Sequence, residues 1–291
     1  MQCLRKNKDL NLCHFLLLFL VFITVLFVGC DTQKVDTNDV NDFHDLVKPQ
    51  IKITQADQEV QDNGTVVDLT SFDGQYFIRN GGVYYLTGSL EGTIVVDAED
   101  QIVSIILSDV NVSSVTGPAL NVLSAGKIIL STRKGTNNTF QDSPIYEAGE
   151  EADACIYAPC DLTINGSGIL NVHGYYKDGI HSKDVLKILC KEIYTQAKRD
   201  GLRGNDGIVI LGSDITVESE KNALHTTKTG KPGKGNIEIL NSRCSLIGGN
   251  YAISCLSDLY VSHSNVYAMG VYAQSYVVGL SYIEEGNLLN E

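Results

Sequence analysis

Asp178-Gly179-Ile180-His181-Ser182-Lys183-Asp184 is followed 22 residues later by Asp200-Gly201-Leu202-Arg203-Gly204-Asn205-Asp206. Both stretches read acid, glycine, aliphatic, three variable residues, acid. Ala154-Cys155-Ile156, Asn222-Ala223-Leu224 and Tyr251-Ala252-Ile253 fit the same frame. The aliphatic residues fall at 156, 180, 202, 224 and 253, at intervals of 24, 22, 22 and 29. The longest interval holds Thr229-Gly230-Lys231-Pro232-Gly233-Lys234-Gly235.

Each frame is followed by short alternating runs. Leu162-Thr163-Ile164, Leu186-Lys187-Ile188, Ile208-Val209-Ile210, Ile237-Glu238-Ile239 and Leu259-Tyr260-Val261 are the clearest. Alternation between Gly, Asn, Asp and Ser breaks predicts half-buried strands. One such coil cannot bury its own apolar row, whereas stacked coils share a continuous core. The sequence therefore predicts an all-β chain, a right-handed single-stranded parallel β-helix with coils of about 22 residues. Ile156, Ile180, Leu202, Leu224 and Ile253 form one internal stack in this reading. Cys155, Gly179, Gly201, Ala223 and Ala252 form a small-residue column beside it. Residues 83–112 and 119–130 supply earlier coils, and an insertion runs from about Arg133 to Asp153. A leucine-rich horseshoe has a similar period, but its L-x-x-L-x-L-x-x-N signature is absent. A sandwich would not keep one residue column through five turns.

Composition agrees with strands and turns: 27 glycines, no tryptophan and few aromatics. The net charge of -13 argues against a nucleic-acid partner. Cys155, Cys160, Cys190, Cys244 and Cys255 lack paired spacing, so they read as buried small hydrophobes. His173, His181, His225 and His263 do not form a metal pair, and no nucleophile elbow, P-loop or dinucleotide fingerprint occurs.

The first 29 residues read as a signal peptide. Arg5, Lys6 and Lys8 precede an apolar run from Phe15 to Val28 broken only by Thr24. Phe27-Val28-Gly29-Cys30 resembles a bacterial lipobox, with Phe27 in place of the usual Leu. Cys30 is then the lipid-bearing residue, and the expected location is the extracellular face of a bacterial membrane. Residues 30–60 read as a polar tether, 61–270 as the β-helix, and 271–291 as a cap or tail.

Stacking places Asp178 over Asp200 and Asp184 over Asp206. Two such carboxylates at about 4.8 Å repel by about 1 kcal/mol in water, and about 3–4 kcal/mol at an effective dielectric near 20. A shared calcium ion turns that repulsion into binding, with Asn205 and Asn222 as neighbours. Turn geometry with neutralisation by Lys177, Lys183, Arg199 or Arg203 is the alternative, and spacing leaves both open.

Ala154-Cys155-Ile156-Tyr157-Ala158 with Asp161-Leu162-Thr163-Ile164-Asn165-Gly166-Ser167-Gly168-Ile169-Leu170 resembles the repeat of a bacterial family. The family comprises carbohydrate-binding, calcium-binding parallel β-helices. The two Asp-Gly stretches and Gly135-Thr136-Asn137-Asn138-Thr139 carry the same likeness, over roughly residues 80–270. The resemblance implies surface lipoproteins with calcium sites that bind cellulose-like or acidic, pectin-type polysaccharide. It also implies a distant architectural relation to polysaccharide lyases. Asp178, Asp184, Asp200 and Asp206 match the family acids, with Asp161 less securely placed. Cys190-Lys191-Glu192 and Asn241-Ser242-Arg243 stand where glycine-rich turns are expected, and Asn222 and Tyr251 replace later acids.

Three functions follow. A glycan binder would bridge uronates through calcium and stack sugars on Tyr175, Tyr176 and Tyr194. A calcium-assisted lyase would need a base, with Lys183 or Arg203 nearest the acids. A structural surface protein would use the stacks for length alone.

Overall fold

Ile156, Ile180, Leu202, Leu224 and Ile253 pair in register, one above another, through parallel strands. All five are fully buried. The structure is a computed structural model that describes residues 48–61 and 63–284, with a short last strand at Leu288–Leu289. The predicted leader, Cys30 and tether residues up to 47 lie outside the described residues. Among the described residues no helix is long and apolar enough to cross a membrane.

Three walls of parallel strands surround the core. The first wall holds the short strands Ala154–Ala158, Asp178–Ser182, Asp200–Gly204, Asn222–His225 and Tyr251–Cys255. The second buries Leu162, Leu186, Ile208, Ile237 and Leu259. The third buries Leu170, Ile193, Ile215, Cys244 and Val266. Each inward aliphatic side chain contributes about 1.5–3 kcal/mol by leaving water, and the columns together form one core. The five cysteines of the β-helix are free and buried in it, as expected. The small-residue column is required by packing between walls. A Cβ on Gly201 would lie 2.1 Å from Val217 Cγ1, and one on Gly179 2.3 Å from Thr195 Cγ2.

Three boundaries differ from the sequence reading. The insertion is shorter, because Asn137–Gln141 is a strand that pairs with Ile169–His173 and buries Phe140. Its polar run Asn137-Asn138-Thr139 hid that strand. After Gly270 the coil continues: Ala273–Val277 pairs with Tyr251–Cys255, and Ser281–Ile283 with Leu259–Val261. Ala273 and Ser275 are small or polar, so the hydrophobic period fades while backbone pairing persists.

The third difference concerns the tether. Residues 48–60 lie as a strap against the outside of the second wall. Its short helix, Gln55–Gln58, carries the fully buried Asp57. That carboxylate accepts hydrogen bonds from Thr163 Oγ1 at 2.6 Å, Lys187 Nζ at 3.0 Å and Thr54 N at 2.8 Å, and pairs with Lys127. Burial opposes its charge, yet Lys127, Thr163 and Thr54 hold the acid well below the usual carboxylate range. Asn165 Nδ2 donates to the carbonyls of Asp57 at 2.9 Å and Glu59 at 3.0 Å. Glu238 Oε1 accepts the N–H groups of Gln50 at 2.5 Å and Ile51 at 2.9 Å. The outward polar residues Thr163, Lys187 and Glu238 are buried because the strap covers them.

Candidate functional site

The four stacked acids separate into two groups of different chemistry. Asp178 is fully buried and Asp200 nearly so. Arg199 meets Asp178 through Nε at 2.6 Å and Nη2 at 2.5 Å, and its Nη2 also pairs with Asp153. Arg203 Nη1 adds a contact to Asp178 at 3.4 Å. Asp178 Oδ1 accepts the Asp200 N–H at 3.0 Å, and Asp200 Oδ1 accepts Asn222 Nδ2 at 2.6 Å. His181 Nδ1 lies 2.6 Å from Asp153 Oδ1. Burial opposes the charge on Asp153, but His181 and Arg199 hold its carboxyl well below the usual range. Asp153, Asp178 and His181 place ligand atoms within 4.8 Å of one another. A guanidinium nevertheless bridges the two acids. Asp178 and Asp200 therefore do not fit the calcium expectation: arginine and asparagine already satisfy them. Asp153, at the end of an insertion, had no counterpart in the repeat and was not foreseen.

Asp184 and Asp206 lie at the corner between the first and second walls, one layer apart. The Asp206 N–H donates to the Asp184 carbonyl at 3.0 Å. Asp161 joins them from the layer before, where its Oδ1 accepts the Val185 N–H at 3.1 Å. Burial, followed by the charges of Asp161 and Asp206, raises the Asp184 carboxyl, while Lys234 and Lys228 oppose. Asp206 is buried and pairs with Lys234. Three carboxylates from successive layers make an all-oxygen donor set, the kind that suits a hard divalent cation. The ammonium of Lys234 stands in for such a cation on Asp206. Among the described residues only Asp153, Asp178 and His181 bring ligand atoms within 4.8 Å of one another, so the corner is a looser acidic cluster, which Asp161, placed less securely by the sequence, joins.

The third wall presents a different surface. Outward residues pair in two ladders: Glu192, Asp214, Arg243, Asn265, and Asn171, Tyr194, Thr216, Ser245, Tyr267. Tyr194 is 42% exposed and its hydroxyl bonds to Glu192. It lines a cavity of about 260 Å³ with Asn171, His173 and Thr216. Tyr175 is 47% exposed, stacks on His173 with ring centres 6.1 Å apart, and lines a neighbouring cavity of about 430 Å³. A third cavity, of about 680 Å³, opens at the corner beside Glu192, Asp214, Arg243 and Asn265. Tyr176 is placed elsewhere. Its ring stacks on Tyr146 of the insertion at 4.1 Å, with Lys177 Nζ 4.5 Å from its centre. That ring is engaged in packing, so of the three predicted tyrosines the structure brings Tyr175 and Tyr194 to the surface with cavities. The Glu192 ladder went unnoticed because its members share no residue type, only their register.

Lys183 and Arg203 do not stand free beside a substrate cleft. Lys183 reaches Glu151 at 3.5 Å and lies 5.6 Å from the Tyr157 ring centre, while Arg203 belongs to the Asp153–Asp178 network.

A family model described as carbohydrate-binding domain-containing protein matches residues 72–277. A protein of that same description from Acetivibrio thermocellus is 28% identical over 190 residues. The alignment covers 61% of this chain and 63% of that protein, so the chain spans a little under two thirds of the relative's length. The solved polysaccharide lyase-like protein from C. thermocellum, a gadolinium derivative, superposes with a TM-score of 0.73 at 25% identity. That superposition covers 77% of this chain and 97% of the other.

Proposed function

The chain belongs to the carbohydrate-binding domain family, and from that premise we propose that the third wall binds polysaccharide while calcium at Asp184 and Asp206 recruits acidic chains. The reading rests above all on the cavity that Tyr194 lines with Asn171 and Thr216, which adjoins the Tyr175 cavity through Gln196 and Glu218. Asn171, Tyr194 and Thr216 belong to a ladder that repeats about every 4.8 Å. An extended β-linked glycan laid along the helix axis meets a similar set of groups at each layer. Tyr194 and Tyr175 offer ring faces to sugar C–H surfaces, and Asn171, Thr216 and Ser245 offer hydrogen-bonding partners.

The ladders favour a neutral, cellulose-like chain on this wall. Arg243 is paired with Asp214 at 2.9 Å and Lys198 with Glu220 at 2.5 Å, so these two cations are already engaged. Acidic, pectin-type chains are assigned to the carboxylate corner, where bound calcium supplies charge that bridges protein and uronate carboxylates. The Cys30 lipobox adds the location: a body tethered by lipid on the extracellular face of the membrane.

Binding to insoluble cellulose and to polygalacturonate, each with and without chelator, tests both parts. Cellulose retention that survives chelator but falls in Tyr194→Ala supports the third-wall site. Polygalacturonate retention lost with chelator and in Asp184→Ala with Asp206→Ala supports the corner. Equal retention in wild type and all variants overturns the assignment. Release of unsaturated product from polygalacturonate would replace the binder reading with a lyase.

A further inference from the structure

Asn222 and Tyr251 stand where the first wall's repeat calls for further acids, and two neighbouring columns change with them. Asp200, Asn222, Tyr251 and Ala273 pair in register as one column. His181, Arg203, His225, Ser254 and Tyr276 form the outward column beside it. Lys177, Arg199, Lys221, Asn250 and Tyr272 stack at the corner where the chain enters the wall. There each N–H donates to the carbonyl of the layer before, at 2.7, 2.9, 2.6 and 3.0 Å. Along all three columns charged residues give way to tyrosine. Beyond Lys221 none of the three carries a charge.

The three rings meet. Tyr251 lies with its ring centre 5.9 Å from that of Tyr272 and 5.5 Å from that of Tyr276, the planes inclined at 57° and 33°. Tyr251 is half-buried between two rings that face solvent, Tyr272 at 71% exposure and Tyr276 at 46%. Clustered aromatic surface of this kind marks an interaction site. A tyrosine presents an apolar face and a polar tip, which match the C–H face and hydroxyl rim of a sugar ring. Ser254 adds a hydroxyl beside Tyr276, 3.1 Å from His225 Nδ1. We propose that Tyr251, Tyr272 and Tyr276 form a second sugar site, at the C-terminal end of the first wall, which takes a single soluble chain of neutral pyranoses. The rings share no plane, so Tyr272 and Tyr276 each take a separate sugar face with Tyr251 supporting both, and a flat crystalline face of cellulose does not fit them. The uncharged columns select neutral sugars over uronates. All three tyrosines lie within the residues matched by the carbohydrate-binding family, 72–277. The site shares that family premise with the proposed function but depends neither on Tyr194 nor on calcium.

Calorimetric titration of the whole chain with cellohexaose, a soluble neutral chain, tests it. Tyr194→Ala, which disables the third-wall site, is expected to keep cellohexaose binding. Adding Tyr272→Ala and Tyr276→Ala to it should weaken that binding by about tenfold, the loss of two stacking faces. Adding Tyr272→Phe and Tyr276→Phe instead, which keeps both rings, should leave most of it. Tyr272→Ala with Tyr276→Ala in otherwise wild-type protein should retain insoluble cellulose as before, which shows an intact body and third wall. Cellohexaose binding abolished by Tyr194→Ala alone overturns the second site, as does binding that the two further alanines leave unchanged. Self-association of the wild type that the same two alanines abolish, with cellohexaose binding kept, assigns the rings to a contact between copies and overturns it too. Insoluble-cellulose retention unaffected by Tyr194→Ala overturns the third-wall reading alone.

Discussion

Arg199 grips Asp178 with two nitrogens, Nε at 2.6 Å and Nη2 at 2.5 Å, and with the same Nη2 reaches Asp153. A single side chain from one turn thus neutralises an acid on the first wall and an acid on the insertion. Arg199→Met should strand two acids of low exposure and destabilise the protein by about 3–5 kcal/mol, as for a broken buried pair. Adding Asp178→Asn should return part of that loss. Urea unfolding of the single and double variants measures both.

The strap hangs on one carboxylate. Asp57→Ala leaves Lys127 and the nearly buried Lys187 without their acid. Hydrogen exchange should quicken across residues 50–59, while the inward positions of the second wall keep their protection. Equal acceleration in both places would mean the strap is part of the core's cooperative unit.

Asp142 should make the insertion sensitive to acid. Burial raises its carboxyl to about 6, against hydrogen bonds from Tyr146 and the Tyr175 N–H. A folded value above the unfolded one means the protonated form favours the fold. That stabilisation is complete below about 4 and lost as pH rises through about 6, a difference on the order of 2–3 kcal/mol. Limited proteolysis of residues 143–152 should accelerate as pH rises from about 4 to about 6 in wild type. Asp142→Asn, which keeps an acceptor without the charge, should abolish that dependence.

Gly201 leaves no room for a methyl group beside Val217. Gly201→Ala should cost about 1–3 kcal/mol through overpacking. The double variant with Val217→Ala should recover part of this, giving a favourable coupling in a double-mutant cycle. A purely additive result would place the strain in the backbone instead.

The aliphatic stacks were legible because inward residues recur with the coil, and coil register depends on little else. The stacking of Asp184 on Asp206 followed from the same period. Arg199 and Arg203 were among the neutralising residues that the sequence offered, but which acid each serves was not legible. Arg199 precedes Asp200 by one residue yet serves Asp178, and Lys234 reaches Asp206 from 28 positions away. Asp57 lies 70, 106 and 130 positions from Lys127, Thr163 and Lys187, so a strap of polar composition looked like a tether. Tyr176 and Tyr194 also look alike in the text. Only the insertion's path shows that one ring is covered by Tyr146.

Each coil touches the coil above and the coil below, and little beyond them. The length of any outward ladder on such a body therefore comes in whole-coil steps. Duplicating one period would lengthen all three walls together without redesigning any contact. Excising one period would shorten them together, so core, corners and outer faces change length as a single trait.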